Sequence, residues 1–438
     1  MKPGSTNSVN EESVDQPTLL QAFNVWLKIG LLSFGGPAAQ IALMHRMVVI
    51  ENRWLSEKQY INALSFCMLL PGPEAMQLAT YAGWRMHGVR GGLLAGLLFV
   101  MPGAIIVLLL AAIYTGFGKL PLVDALFLGV KSAVIVVVVE ALIRVSKKAL
   151  KRQDHWIIAA LAFIAIFFFE VSFPLIVIVA ALYGFLTNKL PTHSTTEQST
   201  LPSMMRSTLL TVLFWACLWA TPIIAVYFFT DNQFLLDIGA FFSRLAIVTF
   251  GGAYAVLAYM AQDVVVELGW LTAGEMMDGL GLAESTPGPL ILVTEFVGFV
   301  AGFREGGMLL GLAAAAMTLW VTFVPCFLWI FAGAPYIEWI GDQPRLRGAL
   351  ASITAAVVGV ILNLSVWFSL NVLFASVTAQ KIGPLTLWSP SVTTLDWRVL
   401  VLTCICALAV FVWEWSILRV LLMAAILGLA TLGVSTIF

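Results

Sequence analysis

The sequence predicts an all-α polytopic membrane protein made of two homologous, inverted repeats with helices broken at Pro-Gly-Pro. Composition is the first of three observations behind this: of 438 residues, 60% are hydrophobic and 11% charged, against about 25% charged in soluble domains. The second is a set of apolar runs, such as 93–114 and 308–333, matching the roughly 20 residues a spanning helix needs. They lack the alternation with a period of two that marks a barrel. The third is a repeat. Phe34-Gly35-Gly36 returns as Phe250-Gly251-Gly252, and Pro71-Gly72-Pro73 as Pro287-Gly288-Pro289, both at an offset of 216 residues (34 to 250, 71 to 287). The same offset carries Trp54-Leu55 onto Trp270-Leu271 and Lys28 onto Arg244, and Gly91-Gly92 matches Gly306-Gly307 one residue short of it.

The elements follow in order. Residues 1–18 form a polar tail with Glu11, Glu12 and Asp15, and lack the basic start and small-residue cleavage site of a signal peptide. The first repeat, 19–188, holds helices at 20–47, 57–70, 73–87, 91–117, 121–149, 155–170 and 173–188. A linker with one extra helix occupies 189–236; its polar start, Thr187 to Ser203, reads as loop and the helix lies at 207–229. The second repeat, 237–438, holds helices at 237–262, 272–285, 288–303, 306–332, 345–374, 396–412 and 415–437. The pairs 57–70/73–87 and 272–285/288–303 are too short to be ordinary spans. Proline cannot continue a helix but suits its first position, so Pro73 and Pro289 are each expected to open a half-helix inside the membrane. Broken helices survive there only against protein or a water-filled cavity.

Arg46, Arg53 and Lys58, then Arg85 and Arg90, and then Arg144, Lys147, Lys148, Lys151 and Arg152 make the loops of the first copy basic. In the second copy, 261–275 carries Asp263, Glu267 and Glu275 but no Lys or Arg, and 366–374 has no charge. By the positive-inside rule these loops face opposite sides, which favours inversion. Eight crossings between the repeat starts would instead make them parallel. Inversion needs an odd number, as when the first Pro-Gly-Pro pair forms one broken crossing.

A half-helix N-terminus offers free N–H groups and a partial positive charge, and two of them can converge on one anion. The candidate binding set is therefore Gly72, Pro73, Gly288 and Pro289, with the Gly35-Gly36 and Gly251-Gly252 steps allowing close backbone approach. Lys28 and Arg244, each six residues before Phe-Gly-Gly, read either as intramembrane anchors for the anion or as snorkelling side chains. Ser33 and Thr249 offer hydroxyls, unless these bond back to their own helices. Glu74 and Glu284 flank the breaks and are candidates for proton coupling, with helix capping the alternative for Glu74. Glu140, Glu170 and Glu295 also lie in apolar surroundings. Lys131 is a third anchor or a partner for a carboxylate; its counterpart is Arg347 at the strict offset, or Thr354 if Ala133-Val134 is aligned with Ala356-Val357.

The five cysteines lack a second ligand pair beside Cys404-x-Cys406, so no metal site is expected. There is no GxxxxGK[ST], no HExxH and no Ser/His/Asp constellation, which argues against an ATP-driven pump or a hydrolase. Neither a cofactor nor a nucleic-acid partner is expected.

The ordered set Ser33-Phe34-Gly35-Gly36-Pro37, Trp54-Leu55, Leu70-Pro71-Gly72-Pro73 and Gly91-Gly92, with its second copy Thr249-Phe250-Gly251-Gly252, Trp270-Leu271, Thr286-Pro287-Gly288-Pro289 and Gly306-Gly307, resembles the chromate ion transporter family in its long, two-domain form. The resemblance covers about 20 to 437. It implies secondary export of chromate across the bacterial inner membrane, giving resistance, with sulfate as the competing look-alike. The partners expected are a chromate- or sulfate-like oxyanion, membrane lipid and a second copy of the chain as a homodimer, although the sequence itself does not set the oligomeric state. The second copy departs at Ala253, opposite Pro37, and at Leu290, opposite Glu74. An uptake permease for sulfate or another oxyanion is the competing transport reading. A membrane-bound chromate reductase or a non-transporting scaffold fits less well, since there is no dinucleotide fingerprint, haem pair or cysteine cluster.

Overall fold

The computed structural model describes residues 17–117, 120–187, 201–250, 253–337 and 343–435. Most of the polar tail, the linker core and Gly251-Gly252 lie outside the described residues. The helices are α1 (Leu19–Leu32), α2 (Gly36–Met44), α3 (Glu57–Cys67), α4 (Glu74–Phe117), α5 (Pro121–Ala149), α6 (Gln153–Phe169), α7 (Phe173–Thr187) and α8 (Leu201–Phe229). They continue with α9 (Gln233–Val248), α10 (Ala253–Gln262), α11 (Ala273–Ser285), α12 (Val293–Gly333), α13 (Pro344–Leu373), α14 (Trp397–Phe411) and α15 (Ile417–Ser435). Among the described residues, five stretches are long and apolar enough to cross a membrane: α4, α5, Arg206–Phe229, Leu290–Tyr336 and α13. The protein is a multi-pass helical membrane protein.

Each repeat begins with the same three short pieces. A helix ends at Leu32 or Val248, the chain breaks before the next helix, and that helix widens into a π-helical turn over His45–Glu51 or Asp263–Glu267. The break at Ser33 to Gly35 was expected to be continuous helix; Gly35 at φ 84 and Gly36 at φ 77 turn the chain there, a conformation open to glycine at no steric cost. Then α3 and α11 start on matching capping boxes, Ser56 with Gln59 and Thr272 with Glu275, each satisfying two orphan helix donors.

After the Pro-Gly-Pro tips the copies drift apart in a way the glycine pairs conceal. The following α-helix starts at Glu74 in one copy and Val293 in the other, an offset of 219 (74 to 293), because a 3-10 turn, Leu290–Leu292, is inserted. Both helices then break at a left-handed glycine, Gly88 (φ 59) and Gly307 (φ 75), again 219 apart (88 to 307). Gly91-Gly92 is therefore not the structural equivalent of Gly306-Gly307. It lies inside helix, with Gly91 packed on the Gly83 carbonyl. One further turn of helix brings the offset to 223, which pairs Pro102 with Pro325 and the first residues of α5 and α13, Pro121 and Pro344. Thr354 is thus the counterpart of Lys131, and Glu74 is matched by Val293 rather than Leu290.

Both Pro-Gly-Pro pairs are re-entrant hairpins. The Phe66 and Tyr81 rings meet across the first, and Gly279 lies on Phe296 across the second. At the open end of the second, Arg304 bonds the Trp270 carbonyl at 2.8 Å and pairs with Glu275 at 2.5 Å. The ends of α1 and α2 are tied to the first hairpin: His87, at the first break, reaches the Pro17 carbonyl at 2.7 Å before α1, while His45 after α2 pairs with Glu57 at the start of α3. The second arms of α4 and α12 cross the molecule. Gly92 of α4 lies on Phe331 and Gly96 on Phe327, so these equivalent helices run antiparallel and the repeats are inverted. The first Pro-Gly-Pro pair folds back as one hairpin, so the eight segments counted from sequence are not eight separate crossings. The long bundle closes with α5 against α15, where Gly129 admits the Ala424 carbonyl, and with α13 against α6 and α7 through Gly359 and Gly184.

A two-stranded antiparallel hairpin, Val377–Ile382 with Leu385–Pro390, follows α13. Lys381 ties it to Glu170 at 2.7 Å, at the end of α6.

Candidate functional site

The two hairpin tips meet the broken helices of the opposite repeat. The Gly72 amide donates to the Thr249 carbonyl at 2.8 Å, and the Gly288 amide donates to the Ser33 carbonyl at 2.9 Å. Both glycines have positive φ, 119° and 98°, so each amide is aimed by a backbone conformation that side chains disfavour. Each tip is backed by the long helix of the other repeat at matched positions. A Cβ on Gly103 would lie 2.2 Å from the Pro287 carbonyl oxygen, and one on Gly72 would lie 3.0 Å from the Cys326 sulfur.

Buried polar side chains fasten this crossing. The Gln40 amide, on α2, donates to the Gly288 carbonyl at 2.6 Å and to the Ser33 carbonyl at 3.3 Å, bridging the repeats. Gln77, on the first turn of α4, donates to the Pro71 carbonyl at 2.6 Å. The side-chain oxygen of each glutamine is buried without a partner. The Ser33 and Thr249 hydroxyls bond back to Ile29 and Leu245 at 2.6 and 2.5 Å; it is their carbonyls that serve the crossing. Proline lies just outside each helix rather than at its first position. Glu74 opens α4 directly after Pro73, whereas Pro289 precedes the 3-10 turn. Gly35 and Gly36 lead into α2 beside this crossing.

The charged candidates separate from the tips. Lys28 and Arg244 are exposed on the protein surface, the placement the snorkelling alternative describes. Arg244 lines a cleft of about 430 Å³ with Tyr259, Gln262, Asp263, Glu267 and Glu170, so carboxylates outnumber it there. Lys131 is the partner of a carboxylate, Asp278, at 3.3 Å, and Asp278 also accepts from the Tyr114 hydroxyl at 2.8 Å. Glu284 is buried just before the second tip and accepts from the Tyr254 hydroxyl at 2.5 Å. Glu74 is half-buried at the first tip, where Lys148 reaches the Met68 sulfur at 3.6 Å. Glu140 is paired with Arg144. Sequence reasoning missed Gln40, Gln77, Tyr254 and Asp278. Of these only Gln77 carried a signal, four residues past Pro73 on the half-helix.

The arrangement offers polar backbone from both repeats at one buried crossing, with cations on α5 near the first tip. The Gly72 and Gly288 amides are already bonded there, so the donors left for a small anion are the orphan N–H groups in the first turn of α4.

The chromate transporter family profile matches residues 20–185 and 236–429, one stretch for each repeat. The chain is 34% identical over 390 residues to the chromate transport protein of Pseudomonas aeruginosa, covering 88% of both chains. It is 31% identical over 347 residues to the probable chromate transport protein of Synechococcus elongatus, covering 78% of this chain and 83% of that one. An uncharacterized transporter of Bacillus subtilis, YwrA, matches at 30% over 165 residues, which is 37% of this chain but 93% of its own. No solved structure matches this chain.

Proposed function

Because the chain belongs to the chromate transporter family, we propose that it is a secondary active transporter that exports chromate across the bacterial inner membrane. It is not an enzyme in this reading, and sulfate competes as the tetrahedral look-alike. The observation that carries the site is the reciprocal pair of bonds, Gly72 to Thr249 and Gly288 to Ser33. Inverted repeats with re-entrant tips meeting near the middle are the architecture in which transporters hold a substrate at the repeat interface.

The anion sits against the tips, beside Gly72, Pro73, Gly288 and Pro289, where Gly35 and Gly36 lead into α2; Gly251 and Gly252, the other members of the set, lie outside the described residues. Amide dipoles fixed by the fold attract charge without a counterion having to reorganise. Lys28 and Arg244, being exposed, act by drawing the anion towards the site rather than by holding it. The relatives carry chromate in their names, and this supports chromate as the substrate here.

The test is uptake of labelled chromate into everted vesicles, with and without a proton gradient. Gradient-dependent accumulation that excess sulfate lowers supports the reading. Accumulation in right-side-out vesicles only would replace export with uptake.

A further inference from the structure

Glu295 lies three residues into α12, after the second tip, and is fully buried with neither carboxylate oxygen bonded. The Thr322 hydroxyl, on the second arm of the same helix, is also buried and unpartnered. The two arms fold back on one another antiparallel: Gly302 packs on Ala314, and Gly298 on the Thr318 hydroxyl. One turn further along each arm, that register brings Glu295 opposite Thr322.

The first copy shows what this position holds when only packing is at stake. At the offset of 219, Glu295 corresponds to Met76; at 223, Thr322 corresponds to Phe99. Both are fully buried, in arms where Gly96 packs on the Thr80 hydroxyl in the same register. Buried Met and Phe in one repeat are thus buried Glu and Thr in the other. Polar groups replace a sound apolar pair, and the structure provides them with no partner.

Charged groups do not intervene. On the elements packed against α12, Asp278 is held by Lys131 and Tyr114, and Glu284 by Tyr254. Glu74 heads α4, Arg244 and Asp237 on α9 and Arg206 on α8 are exposed, and the Cys326 thiol bonds its own helix. A carboxylate and one hydroxyl are too few oxygens for a sodium or calcium ion. The ligand that matches one unpaired buried carboxylate is a proton, which neutralises it.

We infer that Glu295, with Thr322 opposite, is the proton site through which the proton gradient drives substrate movement. The proton enters from one aqueous phase, forms the O–H bond of the neutral acid, and leaves to the other phase when the site reopens. The inference rests on the transport reading above.

The test uses full-length protein in proteoliposomes and compares proton-driven chromate accumulation with chromate–chromate exchange, which needs no net proton movement. Glu295→Gln and Glu295→Met are expected to lose accumulation about tenfold or more while exchange stays within about threefold of wild type. Infrared difference spectra across a pH step should show a protonated-carboxyl band in wild type that Glu295→Gln removes. Accumulation by either variant at the wild-type level overturns the inference. So does loss of exchange together with accumulation, which would mark a structural role, or accumulation driven by sodium instead of protons. A wild-type protein that exchanges no chromate, yet shows the infrared band, would sink the substrate reading and leave the proton site standing.

Discussion

The Gly72 amide bonds the Thr249 carbonyl at 2.8 Å, across the boundary between two halves that share one design. With its mirror, Gly288 to Ser33, this bond makes each half supply an acceptor that the other's tip requires. Neither half closes its own backbone hydrogen bonds at the crossing, and unmet backbone groups are costly in an apolar setting. Segments 1–194 and 195–438, expressed separately, are expected to be degraded, and expressed together to co-purify and regain transport. Stable accumulation of either segment alone would argue against this interdependence.

Gly103→Ala tests the contact behind the second tip. The added Cβ would lie 2.2 Å from a backbone oxygen, and overpacking of this kind costs about 1–3 kcal/mol. Thermal unfolding in detergent should show that loss, together with reduced transport. Gly116→Ala is the control, because nothing lies within 4 Å of its added Cβ.

Gln40→Leu removes both donors of the bridge and leaves the Gly288 and Ser33 carbonyls with one amide bond fewer each. A cost of about 1–3 kcal/mol is expected. Gln40→Glu should be worse, since it sets carboxylate oxygens against those carbonyls. Equal unfolding temperatures for wild type and both variants would remove Gln40 from the account.

Lys131→Met leaves Asp278 buried without its counter-charge, at an expected cost of about 3–5 kcal/mol. Lys131→Met with Asp278→Leu should recover most of that loss. A double-mutant cycle on purified protein checks this; strict additivity would mean the pair does not interact.

Lys28→Ala and Arg244→Ala should change stability by no more than about 0.5 kcal/mol, as exposed substitutions do. Their effect on apparent substrate affinity should shrink as salt is raised, because screening weakens exposed charges. An effect independent of salt would point to direct contact with the anion.

The offset of 216 located both Pro-Gly-Pro hairpins, because sequence and structure stay in register up to the tips; the capping boxes and the breaks after Leu32 and Val248 went unread. Beyond the tips the reading slipped. Leu290–Leu292 is an apolar insertion amid apolar residues, so nothing in composition betrays it, and the Gly91-Gly92 match concealed the shift. The exposure of Lys28 was legible. The buried positions of α1 are Ala22, Trp26, Ile29 and Gly30, a helical stripe that leaves residue 28 on the opposite face. Likewise Arg244 lies off the stripe of Phe241, Phe242, Leu245 and Ala246 on α9. The role of Gln40 was not legible, since its partners are 7 and 248 residues away. The β-hairpin was overlooked although Gly383-Pro384 between two β-prone runs announces a turn.

That small hairpin also labels the molecule's two faces. It hangs at the far end of α6 from Lys147, Lys148, Lys151 and Arg152, fastened by Lys381 to Glu170, and its Gly383 turn has open space around it. With the basic cluster in the cytoplasm, an epitope spliced into the turn would greet antibody on spheroplasts without any breach of the bilayer. The turn is thus a ready-made flag for which way up the protein is inserted.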